Sequence, residues 1–92
     1  MDQTVIISRK TNQIISQYLR LKEGELQDDT HIIDDLGADS LALVELGFQI
    51  SETFGVPMLD TSGDKLVFKH LVTYIIENMT ADHFEIITRG DE

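Results

Sequence analysis

The chain reads as an all-α protein: a small antiparallel four-helix bundle of three main helices and one short one, with a long acidic loop between helices 1 and 2. Three observations predict this. Ninety-two residues suffice for one small core and no second. The apolar residues recur mostly at intervals of three and four, the period of a helix packed along one face. The hairpin dipeptides Asn-Gly and Asp-Gly are missing, and Pro57 is the only proline.

A first helix is expected from about Thr4 to Leu21, with Ile7, Ile14, Ile15, Tyr18 and Leu19 near one face. The run Val5-Ile6-Ile7 leaves a frayed or extended start open. Residues 22–39 change character, with seven acids, one lysine and two glycines. This stretch reads as a loop longer than most helix connections, pinned to the helices by Leu26, Ile32, Ile33 and Leu36. Ser40 to Phe54 is the strongest helix, with Asp39 or Ser40 as N-cap, Gly55 as C-terminal stop and Pro57 beyond it. Residues 56–66 form a linker with one short helical turn near Asp60 to Leu66. A last main helix runs from about Val67 to Asn78, where Phe68, Leu71, Val72, Ile75 and Met79 share a face. Residues 1–79 therefore form the bundle and 80–92 a C-terminal extension. In that extension Phe84, Ile86 and Ile87 leave bundle packing, pairing elsewhere and a loose tail all open.

Seventeen acids against seven Lys plus Arg give a formal charge of −10. Phosphate backbones require a basic face, so nucleic acid is excluded as a partner, and anionic membranes are disfavoured. Partners with basic surfaces are favoured instead. With no cysteine, disulfides, thiolate metal sites and cysteine nucleophiles are excluded. No apolar run approaches the ~20 residues needed to cross a bilayer, and MDQTVIISRK lacks the features of a signal peptide. A monomeric cytoplasmic protein without stable membrane insertion is expected.

The helix from Ser40 carries two apolar faces. Leu43, Leu46, Gly47, Ile50 and Phe54 cluster as the core stripe. Leu41, Val44 and Phe48 cluster roughly 135° away on the helical wheel, beside Glu45 and Glu52. This second stripe either contacts the long loop, or forms an exposed apolar patch edged with acids for protein docking. Both are compatible if the residues are partly covered. Ser40 itself sits where helix amides are unpaired and the macrodipole favours anions. Small or turn-forming neighbours, Gly37, Ala38 and Asp39, leave its hydroxyl accessible to a modifying enzyme. On those grounds alone a plain capping serine is the better reading.

The segment DLGADSL, Asp35 to Leu41, resembles the signature of acyl carrier proteins. The resemblance runs without gaps from about Thr11 through Phe54, including Ile14, Ile15, Leu19, Leu26, Ile32, Ile33 and Asp34. LVFKHLVTYI, Leu66 to Ile75, is similar to the family's final helix. The resemblance implies a noncatalytic carrier. A phosphopantetheinyl transferase attaches 4′-phosphopantetheine from coenzyme A to Ser40, and the arm's terminal thiol carries acyl groups as thioesters. That places a thiol in a chain without cysteine. It further implies an acyl cavity at Leu46, Gly47, Ile50 and Phe54. Basic patches of acyl-transferring or acyl-modifying enzymes are expected to dock on Asp39, Leu41, Val44, Glu45, Phe48 and Glu52.

Several positions depart from the family's pattern. Ala42 and Ser51 stand where fatty-acid-synthesis carriers commonly have acids. Phe48 is bulkier than usual, Arg20 replaces a frequent glycine, and the tail beyond Met79 is longer. Gly47 replaces a branched residue at about 1 kcal/mol of helix propensity, making room for an acyl chain or for close helix packing. Together these suit a specialised fatty-acyl, lipid or polyketide pathway rather than the housekeeping carrier. The alternatives are an unmodified carrier-like interaction module and an aminoacyl or peptidyl carrier. A serine hydrolase fails because GADSL is no G-x-S-x-G elbow. His31, His70 and His83 lack zinc-site spacing and read as solvated or capping residues. The loop acids lack EF-hand spacing, and read as a solvated charge run rather than a cation site.

Overall fold

In the computed structural model, residues 3–58 and 66–89 are described. They form four helices: α1 (Gln3–Leu19), α2 (Ser40–Phe54), α3 (Phe68–Asn78) and α4 (Ala81–Arg89). α1 packs on α2 and α3, and α4 packs on α2. Ile7, Ile15, Ile50, Phe54, Leu71 and Ile75 are the most deeply buried apolar side chains.

The start of α1 is helical through Val5-Ile6-Ile7, and its buried stripe is Ile6, Ile7, Thr11 and Ile15. Thr11 enters the core because its hydroxyl donates to the Ile7 carbonyl at 2.7 Å, leaving no unpaired polar atom. Ile14, Tyr18 and Leu19 pack at the core's edge, half-buried. The helix stops at Leu19, two residues before the expected end. Arg20 turns into the left-handed region (φ 57), and the Leu21 amide reaches back to the Ser16 carbonyl at 2.9 Å. That conformation costs a residue with a Cβ about 1–2 kcal/mol. Glycine there loses part of the gain to extra unfolded-state entropy. Arg20→Gly is therefore expected to stabilise the fold by about 0.5–1 kcal/mol in urea unfolding.

The acidic loop is stitched to the start of α3 through its backbone. Ile32 N–H donates to the Leu66 carbonyl (2.8 Å), while the Phe68 and Lys69 amides donate to the carbonyls of Thr30 and Asp28 (both 2.9 Å). Val67, the N-cap of α3, makes no side-chain cap bond, so loop carbonyls satisfy these first amides instead. The His31 ring has a related role. Its Nδ1 accepts from the Ile33 and Asp34 amides at 3.2 and 3.1 Å, closing a turn before α2. Leu26 and Ile32 are buried and Leu36 is half-buried, as pins should be. Ile33 is instead 36% exposed and does not pin the loop. It lies outside because it falls within the tight turn closed on the His31 ring.

An ion pair reinforces the stitch: Lys69 Nζ lies 2.8 Å from Asp29 Oδ1. The Lys69 hydrogen bond holds the Asp29 carboxyl below its usual range, and the same bond pushes the Lys69 ammonium up. Asp29's contribution is thus present above its unfolded pKa near 3.8 and lost as pH falls through the lowered value. That of Lys69 is complete below 10.5 and lost as pH rises through the raised value. Asp29→Asn is expected to lower Tm slightly at pH 7, and by progressively less as pH falls through the lowered Asp29 value. High salt should erase the difference, because both groups face solvent.

Of the short turn expected near Asp60 to Leu66, residues 60–65 lie outside the described residues; Leu66 itself is buried. The extension contains α4, which the sequence left undecided. Thr80 caps it, its hydroxyl accepting from the His83 amide at 3.1 Å. Phe84 and Ile87 pack against the core, whereas Ile86 is 65% exposed.

Candidate functional site

α2 begins at Ser40 because Asp39 is the N-cap. The Asp39 backbone is extended, and its Oδ1 accepts from the Ala42 amide at 2.8 Å. Ahead of it, Gly37 takes the left-handed conformation (φ 71) with nothing within 4 Å of a Cβ built there. Ala38 is buried and anchors the turn. Ser40 is consequently exposed at the open N-terminal end of α2. Its hydroxyl is spared the capping task, which Asp39 performs.

Leu41, Val44 and Phe48 are 66, 55 and 54% exposed, so the loop does not cover the second apolar stripe. Asp39, Glu45 and Glu52 are exposed around it, and Ile33 adds an apolar edge. Tyr18, absent from the sequence-level site, reaches this face from α1. Its hydroxyl donates to Glu45 Oε2. That hydrogen bond, followed by desolvation and the charges of Glu45 and Asp39, raises the phenol's pKa. Only tertiary packing brings together two residues 27 apart.

The core face of α2 borders a cavity of about 10 Å³ that begins at Leu43, one turn along the helix from Ser40. It is lined by Leu43, Leu46, Gly47 and Ile50 of α2, with Ile15, Ile32, Leu66 and Leu71 around them. Space of that order barely admits one water. Of the four residues expected to form an acyl cavity, Leu46, Gly47 and Ile50 line this one. Phe54 does not, and is fully buried one turn further along α2. Among the described residues, no three His, Asp or Glu side chains converge as a metal site. No helix among them is long and apolar enough to cross a membrane.

An exposed hydroxyl at a helix mouth, an acid-edged apolar face beside it and an apolar seam below define a carrier-type helical domain. The family described as the phosphopantetheine attachment site matches residues 10–61. The chain is also 36% identical over 74 residues to an acyl carrier protein of Campylobacter hominis, an alignment covering 79% of this chain and 92% of that relative. The chain belongs to the acyl carrier protein family, and its prosthetic group is 4′-phosphopantetheine, held covalently. The residues present fit such a group: the amide end of α2 favours the phosphate's charge, and the open space at Gly37 leaves room beside it.

Proposed function

We propose that Ser40 bears the phosphopantetheine and that the chain presents acyl intermediates on it to partner enzymes without performing bond chemistry itself. When bound, the group supplies a thiol that carries the acyl chain as a thioester. The chain's own residues have three tasks. Ser40 supplies the attachment oxygen at a helix end suited to an anion. Asp39, Leu41, Val44, Glu45, Phe48 and Glu52 form the surface read by the phosphopantetheinyl transferase and by acyl-handling enzymes with basic patches. Leu46, Gly47 and Ile50, above Phe54, shelter the acyl group. The cavity's aliphatic lining favours a hydrocarbon cargo over an aminoacyl or peptidyl one, since a polar group there has no hydrogen-bond partner. We place the carrier unit in residues 1–79 with 80–92 appended, acting as a cytoplasmic monomer in a specialised fatty-acyl, lipid or polyketide pathway.

The observation that carries this reading is the exposed Ser40 hydroxyl within DLGADSL, next to a cap that leaves it free of capping. Incubation with coenzyme A and a broad-specificity transferase is expected to add the mass of one phosphopantetheinyl group to the intact protein. An unchanged mass would favour an unmodified interaction module instead.

A further inference from the structure

We propose that α4 sets the length of acyl chain this carrier shelters, by fixing Phe54, the next inward side chain of α2 beyond the cavity, as the floor on which a chain that opens the cavity comes to rest. The inference rests on the reading that Ser40 bears the acylated arm and that the core shelters its cargo. The α2 residues that line the small cavity run from Leu43, one turn beyond Ser40, to Ile50, and a chain that parts them follows this line. Phe54 is the next inward position, and it is 0% exposed. Seven residues of helix span roughly 10 Å. An extended alkyl chain advances about 1.25 Å per carbon from its bond length and angle, so this span holds about eight carbons.

A floor limits length only if it cannot move. The cavity is nearly closed as it stands, so an incoming chain must push side chains aside, and the element that yields least decides where it stops. α4 grips the backbone on both sides of Phe54. The His83 Nε2–H donates to the Thr53 carbonyl at 2.9 Å. The same ring fills the space beside Gly55, where a Cβ would lie 2.5 Å from Nδ1. Gly55 is also left-handed (φ 67), so glycine is required there by both conformation and contact. Thr53 and Gly55 are Phe54's chain neighbours. Phe84 and Ile87, on the same helix as His83, pack against the core and hold α4 in place. His83 is thus a positioning residue acting through Phe54.

The full-length protein, loaded from acyl-coenzyme A thioesters of about four to fourteen carbons, reads this out as the rate of thioester hydrolysis at each length. In the wild type, hydrolysis is expected to slow by up to about fourfold per added carbon, the factor for burying one methylene. The slowing should cease near eight carbons. His83→Ala should move that break at least two carbons longer, while His83→Gln, whose amide still donates to the Thr53 carbonyl, should keep it in place. Phe54→Leu should move the break in the same direction without touching α4. A break unmoved in His83→Ala overturns the proposal, whether or not Phe54→Leu moves it. So does a uniform change of rate at every length, the mark of a merely destabilised fold. Hydrolysis insensitive to length in every variant overturns the sheltering reading beneath it, and the floor with it.

Discussion

Ser40→Ala is expected to abolish phosphopantetheine loading while leaving the fold intact. The wild type should be loaded to completion under conditions where the variant gains no mass, a difference limited only by the detection floor of intact-mass measurement. Two features make the prediction clean. Ser40 is exposed, so removing its hydroxyl opens no cavity. Asp39, not Ser40, caps α2, so the cost of about 1 kcal/mol for a lost N-cap is avoided. The thermal midpoint should therefore stay within about two degrees of wild type. Loading that persists in Ser40→Ala would place the attachment elsewhere and defeat the assignment.

The second large effect concerns the acid-edged apolar face. Glu45→Lys is expected to raise the transferase's KM about tenfold at low ionic strength with little change in kcat, because a rim charge governs encounter more than chemistry. The penalty should shrink at high salt, where exposed charges are screened. Phe48→Ala should cost a comparable five- to thirtyfold, the range for losing an aromatic anchor worth about 1–2 kcal/mol, and this loss should persist at high salt. The contrast separates steering from apolar contact on a single helix. Tyr18→Phe is the needed control, since Glu45→Lys also removes the acceptor of the Tyr18 hydroxyl. If all three variants are loaded as the wild type is, the face is not the docking surface.

The parts of the fold legible in the sequence are those governed within a turn or two of chain. Asp39 and Gly55 mark the ends of α2, and both residues act on amides and carbonyls no more than four positions away. The inward stripe of α2 and that of α3 follow from helical periodicity, and the two apolar faces of α2 separate on the same arithmetic. The Ser40 motif is equally local. The end of α1 is less so. Its reading overshot by two residues because Arg20 occupies a left-handed position that no residue-type signal advertises. α4 is not legible as a definite helix, although Thr80 and Asp82 are a serviceable start signal. Nine residues are too few for periodicity to speak before their packing partner is known.

What composition and spacing decided about this protein is its class: one helical domain, acidic, without cysteine, with a serine at the mouth of its second helix and a glycine-stopped end to that helix. Such properties depend on neighbours along the chain, whose distances are set covalently. The folded arrangement alone decided that loop carbonyls cap α3, that Tyr18 meets Glu45, that Ile33 lies outside, and that His83 closes on Thr53 and Gly55. Apart from Ile33, each of these joins groups far apart in the chain, and all but the Tyr18–Glu45 pair use backbone atoms that every residue possesses, so they leave no mark on residue type until packing brings them within reach.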